Sequence, residues 1–130
     1  MAYQFIISAG ATEDAHKCAK QDPYAAAKLA AVLREIMADN IFAEELVDDR
    51  DQQDPIESVE PLVSLQAVRI NAYRVKIVDV FAWRLITAVD NRTKRVGLLA
   101  VMHRGQDYES DSDLWSRIER EYDDNSFPRY

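Results

Sequence analysis

The chain has 130 residues, 48% of them hydrophobic, and a formal net charge of -7, which fits one folded domain with a real core. Three glycines and four prolines exclude a repeat fibre or a low-complexity chain, and the single cysteine, Cys18, excludes an internal disulfide. No run approaches the roughly eighteen apolar residues of a membrane span, and the start lacks the basic region and long apolar stretch of a signal peptide, so a soluble cytoplasmic protein is expected.

Tyr3 to Ser8 predicts a short first strand, ended by Gly10. A modest helix follows, with Thr12 as its cap and Glu13 and Asp14 in its first turn. Asp22-Pro23 gives a second start, since proline at the first helical position loses no needed N–H. Leu29, Val32, Leu33, Ile36 and Met37 then form one apolar stripe, and alanines at 25, 26, 27, 30 and 31 allow close approach of another element. Ile41, Phe42, Leu46 and Val47 could extend a helical turn, but 48–55 has no apolar period and many like charges, so 44–60 reads as an exposed acidic loop.

From about Pro61 the chain is expected to enter a sheet through Leu62, Val63, Leu65 and Val68. Three apolar runs with embedded cations follow, at 73–77, 81–90 and 96–104, with Asp90 to Arg95 turning between the second and third. Leu98 to Met102 is apolar on both alternating faces, as in a strand covered on both sides. Ser110 to Asp113 can cap a last helix with Leu114, Trp115, Ile118 and Tyr122 inward and Asp113, Arg117 and Glu121 at i, i+4 on its exposed side. Residues 123–130 read as a frayed tail. The whole is a single α+β domain over 1–130, with an N-terminal strand, a helical hairpin, an antiparallel meander and a C-terminal helix.

The net charge conceals segregation. Residues 39–60 hold nine acids and one base, and 107–130 hold eight acids and three bases. Between them, 61–106 hold eight bases against Asp79 and Asp90. A cation inside an apolar run costs burial energy unless it reaches water or an anion, and a local field decides what docks there. Arg74 and Lys76 are two apart and so point the same way on one strand, whereas His103 and Arg104 are neighbours and face opposite sides of a regular strand.

The order of elements, with Tyr73-Arg74-Val75-Lys76-Ile77, then Trp83-Arg84-Leu85-Ile86, then Val101-Met102-His103-Arg104 followed by Tyr108, resembles the RelE/ParE superfamily of bacterial type II toxin-antitoxin toxins. The resemblance runs over 72–108 in motifs and over 3–40 in architecture. It implies a toxin that cleaves ribosome-associated mRNA, the 2'-hydroxyl attacking the adjacent phosphate, without metal or cofactor. It places Lys76, Arg84, His103, Arg104 and Tyr108 as catalytic candidates. Arg84 and Arg104 would clamp the phosphorane, His103 has the pKa range suited to acid–base work, and Tyr108 would stack or assist proton transfer. Arg74, Arg69, Lys94 and Arg95 are the RNA-binding candidates. The implied partners are a cognate antitoxin, the ribosome and mRNA. Two alternatives stand beside it: a ParE-like inhibitor that binds DNA gyrase and cleaves nothing, and a non-toxic binding or dimerising module on the same scaffold.

Overall fold

The structure, a computed structural model, describes residues 3–38, 40–48 and 55–129. Strand β1 (Gln4–Ile7) leads into helices α1 (Ala9–Gln21) and α2 (Pro23–Ala38), then a 3-10 helix (Asn40–Val47). Strand β2 (Ile56–Pro61) and the short helix α3 (Val63–Gln66) precede β3 (Ala72–Ile77), β4 (Val80–Asp90), β5 (Arg95–His103) and helix α4 (Ser112–Asp124). The fold is α+β, as expected. Strands β2 to β5 form an antiparallel meander, but the five-stranded sheet is mixed, with order β1-β5-β4-β3-β2. The chain leaves β1 through the helical hairpin and re-enters at the far edge, so β1 lies parallel to β5, with Phe5 opposite Val96.

Local chemistry explains most of the boundaries. Helix α1 is capped by Ser8 rather than Thr12: Ser8 Oγ accepts from the Ala11 N–H at 3.1 Å, and Thr12 instead donates to the Ser8 carbonyl. Gly10 lies inside this helix, where the Glu121 side chain of α4 reaches it; a Cβ there would lie 3.0 Å from Glu121 Cδ. Asp22 caps α2 through the Ala25 N–H at 3.1 Å. Ala25, Leu29, Val32 and Ile36 of α2 are buried, Leu33 is half-buried, and Met37 points outward. Asp111 caps α4 through the Leu114 N–H.

Three expectations are corrected. The strand expected at 62–68 lies earlier, at Ile56–Pro61, and Val63–Gln66 closes a helical turn instead. Pro61 ends the strand, and the polar Glu57, Ser58 and Glu60 occupy exposed or half-buried positions of an edge strand, so the run is not a loop. Within 44–60, residues up to Val47 are 3-10 helix, Leu46 is buried, and Thr87 Oγ1 donates to the Leu46 carbonyl at 2.8 Å. The acidic run at 49–54 lies outside the described residues. The tail is docked rather than frayed: Phe127 is buried against Tyr122, and Arg129 meets Asp123 and Glu119 at 2.9 and 3.2 Å.

The sheet carries a core on each face. Phe5, Leu29, Ile36, Leu46, Val75, Leu85 and Val101 pack under α1, α2 and the 3-10 helix. Leu62, Leu65, Ile86, Leu99, Met102, Ile118 and Tyr122 pack under α3 and α4. Arg117 departs from the expected exposed i, i+4 network and joins the two layers through Asp14 of α1. Among the described residues, no helix is long and apolar enough to cross a membrane.

Candidate functional site

Register decides which cations meet. In β3, Val75 and Ile77 face the α1–α2 core, so Arg74 and Lys76 point to the opposite face. In β4, Leu85 faces that same core and Arg84 points the other way, opposite Met102 of β5. Arg104 continues the β4–β5 pairing, its N–H donating to the Ala82 carbonyl at 2.7 Å, and alternation puts its side chain on the Met102 side. Four cations from three strands thus share one end of one sheet face, where the α4-side core gives way to half-exposed positions. Strand β2 adds Ser58 opposite Lys76 and Glu60 opposite Arg74.

The electrostatics tie them together. Burial lowers the pKa of the Arg84 guanidinium, and the nearby charges of Arg74 and then Arg104 lower it further, while Glu57 and Glu60 act the other way. Glu60 bridges Arg74 at 2.8 Å and Lys76 at 3.9 Å. Its carboxyl is held below the ordinary range chiefly by the Arg74 hydrogen bond, against a desolvation effect, with the charges of Arg74, Lys76 and Arg84 adding to the lowering. Arg84 Nη1 also donates to the Phe81 carbonyl at 2.7 Å and the Trp83 carbonyl at 3.3 Å. Among the described residues, Arg74 Nε and Ser58 Oγ are buried without a hydrogen-bond partner. Like charges gathered on a half-buried surface repel one another unless an anion is present, and guanidiniums in such a cluster match phosphate oxygens.

Five expected site residues lie elsewhere. His103 faces the other side, edge-on to Trp83 with ring centroids 5.2 Å apart, and its Nδ1 accepts from the Gly105 N–H at 3.1 Å. There it lines a polar cleft of about 340 Å³ with Asp14, Lys17, Gln106 and Arg117. Tyr108 is buried, 7% exposed, stacked on Trp115 at 6.0 Å; the apolar face of α4 claims its ring. Lys94 and Arg95 lie at the β4–β5 turn, Arg95 seven residues along β5 from Met102 and so about 23 Å away at the strand rise. Arg95 is spent on structure: it pairs with Asp90 at 3.5 Å, donates to the Asn125 and Ser126 carbonyls, and covers the Phe127 ring. Lys94 lies over the Tyr3 ring. Arg69 is exposed after α3 beside Asn71 and Pro128, near the start of β3 and away from the cluster.

Sequence reasoning missed Glu60 and Ser58, which belong to an edge strand read as loop. No period-2 signal marked this strand: Ile56 and Val59 are three apart, and a register shift between Ile56 and Ser58 is what brings both to the buried side.

No family model matches the chain, and no curated protein matches it in sequence. Among solved structures, a chain of the toxin-antitoxin complex RelBE2 from Mycobacterium tuberculosis is similar: it is 18% identical with a TM-score of 0.44, over 80% of this chain and 100% of that one.

Proposed function

We propose that this chain is the toxin of a type II toxin-antitoxin pair and that its cation face grips the backbone of ribosome-associated mRNA for cleavage. The observation that carries the reading is the convergence of Arg74, Lys76, Arg84 and Arg104 on one end of one sheet face, from positions scattered over 31 residues of sequence. In the reaction the 2'-hydroxyl attacks the adjacent phosphate and loses its proton to water, the bond to the 5'-oxygen of the next nucleotide breaks, and that oxygen takes a proton from water, leaving a 2',3'-cyclic phosphate and a 5'-hydroxyl end. Arg84 and Arg104 stabilise the charge that builds on the phosphorane, and Arg74 and Lys76 hold a flanking phosphate. His103 has no part in this reading, because it faces the other side of the sheet. Tyr108 has none either, because its ring is packed under α4. Catalysis therefore rests on charge stabilisation. An antitoxin segment with acidic side chains covers the same face in the inactive pair.

The test is controlled expression with 5'-end mapping of cellular mRNA, comparing wild type with Arg84→Ala, Arg104→Ala and His103→Ala. Cuts that vanish in both arginine variants and persist in His103→Ala support the reading. Growth arrest with intact mRNA points to a gyrase inhibitor.

A second reading is favoured by the placement of His103 and Tyr108: with His103 on the opposite face of the sheet and Tyr108 buried against Trp115, neither opens onto the cation cluster, and the scaffold serves as a binding module that cleaves nothing. Absence of both cuts and arrest in the expression test, with RNA binding retained in vitro, selects it.

A further inference from the structure

Four cations bind charge, but they do not distinguish a nucleic acid from any other polyanion. Phe81 supplies that distinction. Its side chain is 71% exposed although it lies in β4, a strand otherwise buried along most of its length. The cause is a bulge: Val75 pairs with Leu85 and Ile77 with Val80, so residues 81–84 stand opposite Lys76 alone. The Arg84 side chain folds back over this bulge and bonds the Phe81 carbonyl at 2.7 Å. The main chain at Phe81 is thereby tied to the arginine at the centre of the cluster. Among the described residues, the other large exposed apolar side chains, Tyr24, Met37, Val63 and Val68, lie on helices or beside them. The nearest acid in sequence, Asp79, is matched by Lys28 of α2 at 3.8 Å.

We propose that Phe81 is a base-stacking residue, and that the occupant of this face is single-stranded RNA. A phosphate rests on Arg84 and Arg104, and the adjoining unstacked base lies on the Phe81 ring. Charge complementarity selects a polyanion, and an exposed aromatic beside a phosphate clamp selects one with free bases, since a duplex keeps its bases stacked within. This deepens the proposed function and rests on it.

The experiment uses fluorescence anisotropy of the full chain with two probes. One is a 2'-O-methyl single-stranded oligonucleotide, which cannot be cleaved, and the other is inorganic polyphosphate, which has no bases, measured by competition. Phe81→Ala is expected to weaken the oligonucleotide by about five- to a hundredfold, the range for loss of one stacked base, and to leave polyphosphate binding unchanged. Phe81→Tyr is expected to keep both. If Phe81→Ala binds the oligonucleotide like wild type, or loses both probes equally, stacking is overturned while the phosphate clamp stands. If the wild-type chain binds neither probe, the clamp and the stacking fall together. Phe81 is a surface side chain, so far-ultraviolet circular dichroism and urea melts of both variants should match wild type.

Discussion

Glu60 Oε2 lies 2.8 Å from Arg74 Nη2 across the β2–β3 ladder, and Glu60 Oε1 lies 3.9 Å from Lys76 Nζ. A carboxylate of the chain itself stands among the cations that the proposed function assigns to phosphate, and it competes with RNA for two of them. Glu60→Gln keeps the side-chain shape and removes the charge. It should tighten RNA binding by about two- to fivefold, the size of one half-exposed ion pair, and steepen the salt dependence. Anisotropy titrations at several salt concentrations check this. The pH dependence has a fixed sign. Because the folded carboxyl titrates below its ordinary value of 4.5, its stabilisation is present above that value and is lost as pH falls through the lower folded one. Glu60→Gln should therefore flatten the acid side of the stability curve, measured by urea melts between pH 3 and 6.

Asp14 is the tie between layers. Strand β1 pairs with β5 only as far as Leu98, which leaves the rest of the β5 edge without a strand beside it. Side chains supply the missing partners. Ser8 Oγ donates to the Leu99 carbonyl, the Val101 N–H donates to Asp14 Oδ2 at 2.9 Å, and the His103 N–H donates to Gln106 Oε1. Arg117 of α4 completes the Asp14 pair. Asp14→Ala should cost about 3 kcal/mol, the loss expected when one partner of a buried pair is removed. Arg117→Ala should cost a similar amount, and the double variant less than the sum. Urea unfolding gives all three values.

Gly97 is required by the tail. A Cβ there would lie 2.7 Å from Phe127 Cζ and 2.8 Å from Cε2, too close to stand without movement. Gly97→Ala should destabilise by about 1–3 kcal/mol through overpacking. In a Phe127→Ala background the same substitution should be nearly neutral, since the clashing ring is gone. A thermal-denaturation cycle of the four proteins separates this clash from any intrinsic preference of the strand.

Tyr108 separates packing from chemistry. Its ring is buried against Trp115. Tyr108→Phe should keep both stability and mRNA cleavage close to wild type. Tyr108→Ala should cost about 3–5 kcal/mol, as for other buried aromatic truncations. Loss of cleavage in a stable Tyr108→Phe variant would return the hydroxyl to the reaction.

Much of this molecule is legible from residue order. Helix α2 announces itself through Asp22-Pro23 and its apolar spacing, and α4 through its capping cluster, because caps and periodicity act within a few residues. The opposite facing of His103 and Arg104 follows from strand alternation alone: in the structure His103 meets Trp83 on one side, while the charge of Arg104 acts on Arg84, which points to the other. The surplus of cations in 61–106 is likewise a property of the sequence.

The tertiary structure decided what those cations meet. No local signal distinguishes Arg84, set beside Arg74 and Arg104, from Arg95, which is consumed by Asp90 and the tail. Both are arginines in β-rich sequence, and only the pairing register across β2, β3, β4 and β5 assigns their neighbours. The same holds for Tyr108, which α4 covers, and for β1, whose parallel partner lies some ninety residues downstream. Side-chain chemistry and short-range periodicity are written in the chain. The company each charge keeps depends on contacts between segments far apart in sequence, and Glu60 entered the cation cluster by that route.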